Sequence, residues 1–181
     1  MVTADREDAG FRAARHLLQL GHSRIGFLGD AVTRPKTTLR KLAGFRRALG
    51  EAKVPFSEAI VQDVTEFGFD GGRAAFQKLI ERAPDITGLF CINDGMALGA
   101  IDAAKDLGRE CPRDLSVVGF GDSPEGRHWR PKLTTIALSS ARVASAAIQV
   151  ILENRQQAGL GPRTILIPEE LILRGSTAPL R

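Results

Sequence analysis

The sequence predicts an α/β fold with a doubly wound parallel sheet, and three features support this prediction. Residues 87–92 and 115–120 are short, mostly aliphatic runs flanked by turn formers, which is typical of strands buried on both faces. Between them, apolar residues recur at helical spacing over residues 94–108, so the three segments form a strand–helix–strand crossover. Strand-like and helix-like segments alternate four times along the chain, and this alternation indicates a parallel sheet with helices on both faces.

The first part of the chain begins this alternation. Residues 5–20 are predicted to form a helix that Gly21 ends, and residues 24–28 are predicted to form a strand. A polar loop over residues 30–36 then leads to a helix over residues 37–51. Four side chains are expected on the apolar face of that helix: Leu39, Leu42, Phe45 and Leu49.

The segments around the central crossover complete the predicted sheet. A strand over residues 60–64 and a helix over residues 72–82 lead into it. After it, residues 123–132 are expected to form a loop and residues 133–136 a short strand.

The last segment is a helix followed by short strands. The helix is predicted to start after Ser139 or Ser140 and to run to about residue 156. A turn over residues 159–162 follows, and strands over 165–167 and 171–173 are broken at Pro168. The apolar face of this helix is made of Val143, Ala147, Val150 and Ile151.

The composition is that of an ordinary globular protein, with 43% hydrophobic and 25% charged residues in 181. The longest apolar runs are far shorter than the roughly 20 residues that span a bilayer, and the start of the chain lacks the design of a signal peptide, so we expect a cytoplasmic protein. The net charge of +4 comes from scattered basic residues, which favours a solvated surface over a nucleic-acid interface. Cys91 and Cys111 lack metal-ligand spacing and are predicted to be free thiols.

Polar residues follow two neighbouring strands of the predicted sheet. Asn93 and Asp94 come directly after one strand, and Gly121, Asp122 and Ser123 come after the next. Open parallel sheets bind ligands at the carboxyl ends of their strands, so these residues are candidate ligand contacts. Asn93 and Asp94 are equally candidates for the cap of the following helix.

Several motifs, in the same order and over nearly the whole chain, resemble the regulatory domain of the lactose-repressor (LacI/GalR) family of transcription regulators. They are RHLLQLGHSRIGFLGD, RKLAGFRRAL, GLFCINDGMALGAIDAAKDLG, PRDLSVVGFGD, PKLTTI and IPEELILRGST. The resemblance implies a periplasmic-binding-protein-like (type I) lobe. Residues 1–136 would then be the C-terminal lobe with its entry crossover, and residues 137–181 the crossover helix and last strands. That helix would belong to an N-terminal lobe most of which, with the DNA-binding headpiece, would precede Val2.

The resemblance also assigns candidate ligand contacts. Asn93 matches a position whose side chain reaches the ligand, and Thr37 matches a hydroxyl-bearing contact position. Phe90 matches a position that in some members places a ring against the ligand, although core packing explains it equally well. Asp5 and Asp8 lie where the cleft between lobes begins, but acids are favoured in a first helical turn in any case.

Two departures from the family pattern suggest an acidic ligand. The family places an effector-gripping Arg where this chain has Lys41, and usually an acid where it has Gly121; Asp122 remains either a contact or part of a loop turn. Lys36, Arg40 and Lys41 are expected to cluster near a helix N-terminus, which an anion would stabilise. We therefore expect a sugar acid or sugar phosphate held by Lys41 and Thr37 and oriented by Asn93.

The function expected from these observations is effector sensing in a transcription regulator, and the alternative is the solute-binding receptor of a sugar transporter. The nucleophile, dinucleotide and P-loop motifs of common enzyme classes do not occur, and the three His have no spacing suited to a metal, so we expect neither catalysis nor a cofactor. The expected partners are a small-molecule effector (sugar, sugar acid or sugar phosphate), operator DNA through the preceding headpiece, and a second copy in a homodimer, with no membrane.

Overall fold

Helices and strands alternate along the computed structural model, which describes residues 2–30, 35–137, 139–156 and 164–180. The polar loop expected over residues 30–36 lies partly outside these ranges, and the turn expected over 159–162 lies wholly outside them. The strands are β1 (Val2–Ala4), β2 (Ile25–Gly29), β3 (Val61–Asp63), β4 (Gly88–Cys91), β5 (Ser116–Phe120), β6 (Thr134–Ala137), β7 (Ile165–Ile167) and β8 (Glu170–Ile172). The helices are α1 (Arg6–Gln19), α2 (Pro35–Glu51), α3 (Phe69–Arg82), α4 (Asp94–Asp106), α5 (Pro124–His128) and α6 (Ser140–Gln156).

The main sheet has the strand order β3-β2-β4-β5-β6-β8. All neighbours from β3 to β6 pair in parallel, and only β8 runs antiparallel, against β6. The doubly wound parallel sheet predicted from the sequence is therefore confirmed. The chain leaves β2 toward β3 and returns on the other side of β2 to form β4, so the strand order reverses between β2 and β4. Open α/β sheets bind ligands at such a reversal.

Two strands form a separate small sheet. β1 pairs in parallel with β7, and the amide of Asp5 donates to the carbonyl of Ile167 directly beyond it. β8 pairs with β6 instead, and the tail to Leu180 lies along the main sheet, where the Val117 amide donates to the Ser176 carbonyl. Backbone pairing thus places β1 in the small sheet and β8 in the main one.

The helices pack closely because glycines on one helix face the backbone of its neighbour. A Cβ on Gly10 of α1 would lie 1.9 Å from the carbonyl oxygen of Lys41, and a Cβ on Gly44 of α2 would lie 1.8 Å from that of Glu7. Gly99 of α4 lies equally close to α3, with a Cβ position 2.0 Å from the Phe69 carbonyl oxygen. Since only hydrogen fits at these contacts, the glycines set the distance between the helix backbones.

The helix predictions need correction at two leucines and in one loop. Leu39 was expected on the apolar face of α2 but is 61% exposed, and Leu107 was expected to face the core beside α4 but is 50% exposed. Leu39 points outward because its neighbours Thr38 and Lys41 take the buried face of α2, and Leu107 is the C-cap of α4. The loop predicted over residues 123–132 contains α5, whose start is marked by the Ser123 cap and by Pro124 in the first turn.

Half-buried His16 of α1 and buried His22 of the following turn fix the C-terminal tail. Nε2 of His22 lies 3.0 Å from the Ala178 carbonyl and Nε2 of His16 lies 3.0 Å from the Thr177 hydroxyl. Burial lowers the pKa of both imidazoles below the ordinary value. Both cysteines are free, as predicted, and burial raises the pKa of the Cys111 thiol to about 12.

Candidate functional site

A cavity of about 180 Å³ lies at the carboxyl edge of the main sheet, where β4 and β5 end. Its walls come from the first turn of α1, from α2, from the loop before α3, and from the residues that end and follow the two strands. This is the position that the strand order and the sequence both favour for a ligand. The lining residues are Arg6, Thr37, Lys41, Phe67, Ile92, Asn93, Phe120 and Gly121.

A larger concavity of about 560 Å³ lies at the opposite, amino edge of the sheet. Its charged groups are satisfied by neighbouring protein groups: Arg109 donates to the carbonyls of Ile86 and Pro84, and Arg113 pairs with Asp114. We therefore place the candidate site at the carboxyl edge, where the lining side chains converge from separate elements.

Lys41 is the most deeply placed cation of the site, with 2% of its surface exposed. Its ammonium donates to the Ile92 carbonyl at 3.0 Å and lies 3.1 Å from the centre of the Phe120 ring. The close contact of Gly10 with the Lys41 carbonyl holds this turn of α2 against α1. Lys41 thus sits on the inner face of the helix beside Leu42 and above the strand ends.

Lys36 and Arg40 do not join Lys41 at the cavity. Both lie exposed on the outer face of α2, whereas Lys41 faces the sheet. The expected cluster of three cations is therefore wrong, because helical geometry turns residues 36 and 40 away from residue 41.

Arg6 supplies the second cation instead. It is the first residue of α1, its guanidinium carbon lies 5.1 Å from the centre of the Phe120 ring, and it lines the cavity. Nη1 of Arg6 also pairs at 2.7 Å with Oε1 of Glu169, a carboxylate with a fully buried side chain. Burial raises the pKa of Glu169 to about 7, against the opposing charges of Arg6 and Lys41.

Asn93 caps α4 and lines the cavity at the same time. Its Oδ1 accepts a hydrogen bond of 3.3 Å from the Met96 amide, so the side-chain amide nitrogen is the group left to face a ligand. The sequence allowed two interpretations of Asn93, as a helix cap and as a cavity residue, and its side chain is both.

Asp94 holds the strand ends together rather than lining the cavity. Oδ2 accepts from the Ser123 amide and Oδ1 from the Thr135 hydroxyl, both at 2.6 Å. Burial raises the pKa of Asp94 above its ordinary value, although these two hydrogen bonds oppose the shift. Gly119 leaves room for this carboxylate, since a Cβ there would lie 2.3 Å from Oδ1.

The remaining predicted site residues lie apart from the cavity lining, except Thr37. Phe90 is fully buried and packs edge-on against Phe27, 5.6 Å between ring centres, as the core-packing alternative supposed. Asp122 pairs with Arg174 at 2.5 Å and with Arg127 at 2.7 Å, and these hydrogen bonds outweigh burial, so that its pKa lies below the ordinary value.

The two acids near the start of α1 also serve the backbone and its neighbours. Asp5 caps the helix by accepting from the amide of Asp8, and the Asp8 carboxylate pairs with Arg12 at 2.5 Å. Helix capping and ion pairing therefore account for the positions of both acids.

Sequence reasoning missed Arg6, Phe67 and Glu169 as parts of this region. Phe67 was assigned only to a loop, but its ring is 41% exposed and lines the cavity. An aromatic residue just after a strand at the carboxyl edge was the available signal for Phe67. Glu169 had none, because it lies far from Arg6 in the sequence and the fold alone brings them together.

The described residues show neither a metal site nor a membrane span. No group of three His, Cys, Asp or Glu side chains in the described ranges is placed to hold a metal ion. Among the helices with described positions, none is both long and apolar enough to cross a bilayer.

Comparison with known families gives a match over most of the chain. The family of periplasmic binding protein-like domains matches residues 14–177. The HTH-type transcriptional regulator DegA of Bacillus subtilis (strain 168) is 34% identical over 182 residues, which cover 99% of this chain and 52% of that protein. The chain thus spans about half the length of the curated relatives that it matches.

Solved structures of transcription regulators share the fold. The transcriptional regulator CelR, in complex with cellobiose, has a TM-score of 0.85 at 27% identity, covering 97% of this chain and 53% of that chain. A LacI family transcriptional regulator from Enterococcus faecium, with bound ribose, has a TM-score of 0.83 at 28% identity, covering 99% of this chain and 66% of that chain.

Proposed function

Since the chain belongs to the family of periplasmic binding protein-like domains, and its relatives are LacI-type transcription regulators, we propose that it is an effector-sensing domain of such a regulator. Its effector is a sugar-like molecule with an acidic group, bound in the cavity at the carboxyl ends of β4 and β5. The single observation that carries this proposal is the convergence of Arg6, Lys41 and Asn93 on one cavity at the carboxyl edge of the main sheet. The relatives favour this function over a transporter receptor.

The chemistry of the lining supports an acidic sugar. Two cations, Arg6 and Lys41, line the cavity. Gly121 follows β5 and adds no side chain to the cavity wall at the end of that strand. The Asn93 amide nitrogen and the Thr37 hydroxyl are suited to sugar hydroxyls. Phe67 offers a ring on which the apolar face of a sugar packs. A carboxylate or phosphate on the ligand then balances the positive charge.

The position of Arg6 suggests how binding is transmitted. Arg6 follows β1 directly, and β1 belongs to the small sheet with β7, whereas the other cavity walls belong to the main sheet. A ligand that contacts both Arg6 and the walls on the main sheet binds one relative arrangement of the two sheets more tightly than others. It therefore shifts the population of arrangements, and with it the affinity of the regulator for DNA.

The partners of the whole regulator follow from the same proposal. Operator DNA is contacted by a helix-turn-helix segment outside these 181 residues, and the regulator acts as a homodimer in the cytoplasm. We assign no reaction to the domain and no cofactor.

The test is calorimetric titration with matched pairs of ligands, gluconate against glucose and glucose 6-phosphate against glucose. We expect the acidic member of a pair to bind and its neutral partner to bind at least about tenfold more weakly, since one desolvated charged contact contributes about 1.5 to 3 kcal/mol. Preference for glucose would contradict the acidic effector and leave the sensor assignment standing. Absence of binding to every sugar in a broad panel would contradict the sensor assignment.

A further inference from the structure

Glu169 is a buried carboxylate directly behind the cavity wall. It lies between β7 and β8, and its side chain is fully buried. Oε1 pairs with Nη1 of Arg6 at 2.7 Å, whereas Oε2 is buried without a hydrogen-bond partner among the described residues. A buried carboxylate with one unsatisfied oxygen is costly when charged, so its ionised form depends on the cation beside it.

The charged groups that act on Glu169 come from two helices. α1 contributes Arg6, which favours the ionised form, together with Asp5 and Asp8, which disfavour it. α2 contributes Lys41, which also favours the ionised form. Burial outweighs both cations and raises the pKa of Glu169 to about 7, so a small change in the charge around it changes its protonation near neutral pH.

Arg6 is shared between Glu169 and the cavity. Its guanidinium pairs with Glu169 and also lines the cavity beside Phe120. An anion in the cavity competes for the same guanidinium and adds a negative charge near the carboxylate. Both effects disfavour the ionised form of Glu169.

We propose that Glu169 is an internal counter-ion of Arg6. An anionic effector pairs with Arg6 in its place, and Glu169 takes up one proton from solvent. The proton adds to the carboxylate and no other bond is made or broken. The nature of the effector rests on the function proposed above, whereas the competition for Arg6 does not. Acidic effectors therefore bind more tightly as the pH falls through neutrality.

The first test follows the carboxyl carbon of Glu169 by ¹³C NMR through a pH titration of this chain, with Glu169→Gln to assign the signal. Sulfate is the anion probe, because it keeps its charge throughout, and sodium chloride of equal ionic strength is the control. We expect the titration midpoint to lie near neutrality in chloride and to move upward in sulfate. A midpoint in the ordinary range for Glu, or one that sulfate leaves in place, would overturn the proposal.

The second test compares gluconate binding by calorimetry at about pH 6 and about pH 8. Because binding is coupled to the uptake of one proton by a group that titrates near neutrality, gluconate should bind about tenfold more weakly at about pH 8 than at about pH 6. Glu169→Gln should bind gluconate equally at both pH values, whereas Glu170→Gln, which alters the adjacent, exposed carboxylate paired with Arg142, should behave like the unaltered chain. A pH-independent affinity of the unaltered chain would refute the coupling.

The outcomes separate this inference from the proposed function. A Glu169 midpoint that moves with sulfate in a chain that binds no sugar supports the counter-ion and contradicts the sensor. Sugar binding by a chain whose Glu169 midpoint does not move in sulfate supports the sensor and contradicts the counter-ion.

Discussion

The charged side chains at the cavity are each held by a second group, and this determines how they recognise a ligand. The ammonium of Lys41 donates to the Ile92 carbonyl and lies over the Phe120 ring. Arg6 pairs with Glu169 and also lies near that ring. Because both cations are positioned before any ligand arrives, a ligand does not have to order two long, flexible side chains.

Replacing Lys41 with Met tests the contribution of its charge. Met keeps most of the apolar stem that packs beside Leu42, so the fold should be retained. We expect gluconate to bind about 10 to 150-fold more weakly, which corresponds to the loss of one desolvated charged contact. Calorimetry gives the affinity, and thermal unfolding establishes that the variant is folded.

Arg40→Met is the matched control, since Arg40 is the adjacent cation but lies exposed on the outer face of α2. Gluconate affinity should change little in this variant, because a screened surface charge contributes little. Equal losses in both variants would mean that net charge, rather than the Lys41 contact, controls binding.

At the scale of elements, helix pairs are positioned by contacts between backbones. The glycines at 10 and 44 lie against the carbonyls of Lys41 and Glu7, so α1 and α2 approach closely. This approach places Arg6 at the start of α1 and Lys41 on α2 at the same cavity. The spacing of the two cations therefore depends on residues that have no side chain.

Gly44→Ala tests this dependence. Its Cβ would lie 1.8 Å from the Glu7 carbonyl oxygen, so the helices must separate. We expect a loss of about 1 to 3 kcal/mol in the free energy of unfolding, the usual cost of overpacking. Gluconate binding should weaken as well, because the distance between the two cations changes. Denaturant unfolding measures the first effect and calorimetry the second.

Gly50→Ala provides the comparison within the same helix. Nothing lies within 4 Å of a Cβ at that position. This variant should be unchanged or more stable by up to about 1 kcal/mol, because Ala favours the helix and restricts the unfolded chain. A Gly44→Ala variant as stable as Gly50→Ala would show that the helices do not need this close contact.

At the scale of the whole molecule, two sheets of unequal size share one chain. The main sheet has helices against it, whereas the small sheet of β1 and β7 carries α6. On α6 two apolar side chains are widely exposed, Ile148 at 59% and Ile151 at 57%. Of the face predicted from the sequence only Ile151 is this exposed, since Val143, Ala147 and Val150 are half-buried. Exposed apolar patches of this kind promote association.

This chain should therefore self-associate at tens of micromolar, in a way that depends on α6. Changing Ile148 and Ile151 together to Ser should shift the sedimentation profile toward monomer. Leu39→Ser is the control, because Leu39 is also widely exposed but lies on α2. A monomeric unaltered chain, or an equal effect of Leu39→Ser, would count against the α6 face.

The sequence by itself determined the fold class, the order of the strands along the chain and the edge of the sheet at which the candidate site lies. These follow from local periodicity and from the rule that parallel strands present their carboxyl ends together, so nearby residues were enough. Asn93 was indicated both by its place just past a strand and by the family resemblance, whereas the resemblance pointed to Thr37 and Lys41, and all three line the cavity.

Only the tertiary structure decided which charges meet. Arg6 and Glu169 are 163 positions apart, and no local pattern links them. Lys36 and Arg40 were expected to cluster with Lys41, but helix rotation leaves them outside the cavity. Asp122 and Asp8 are paired with arginines and do not line it. Burial and pairing depend on the surrounding elements, which is why the sequence identified the types of group at this edge and the fold selected the residues.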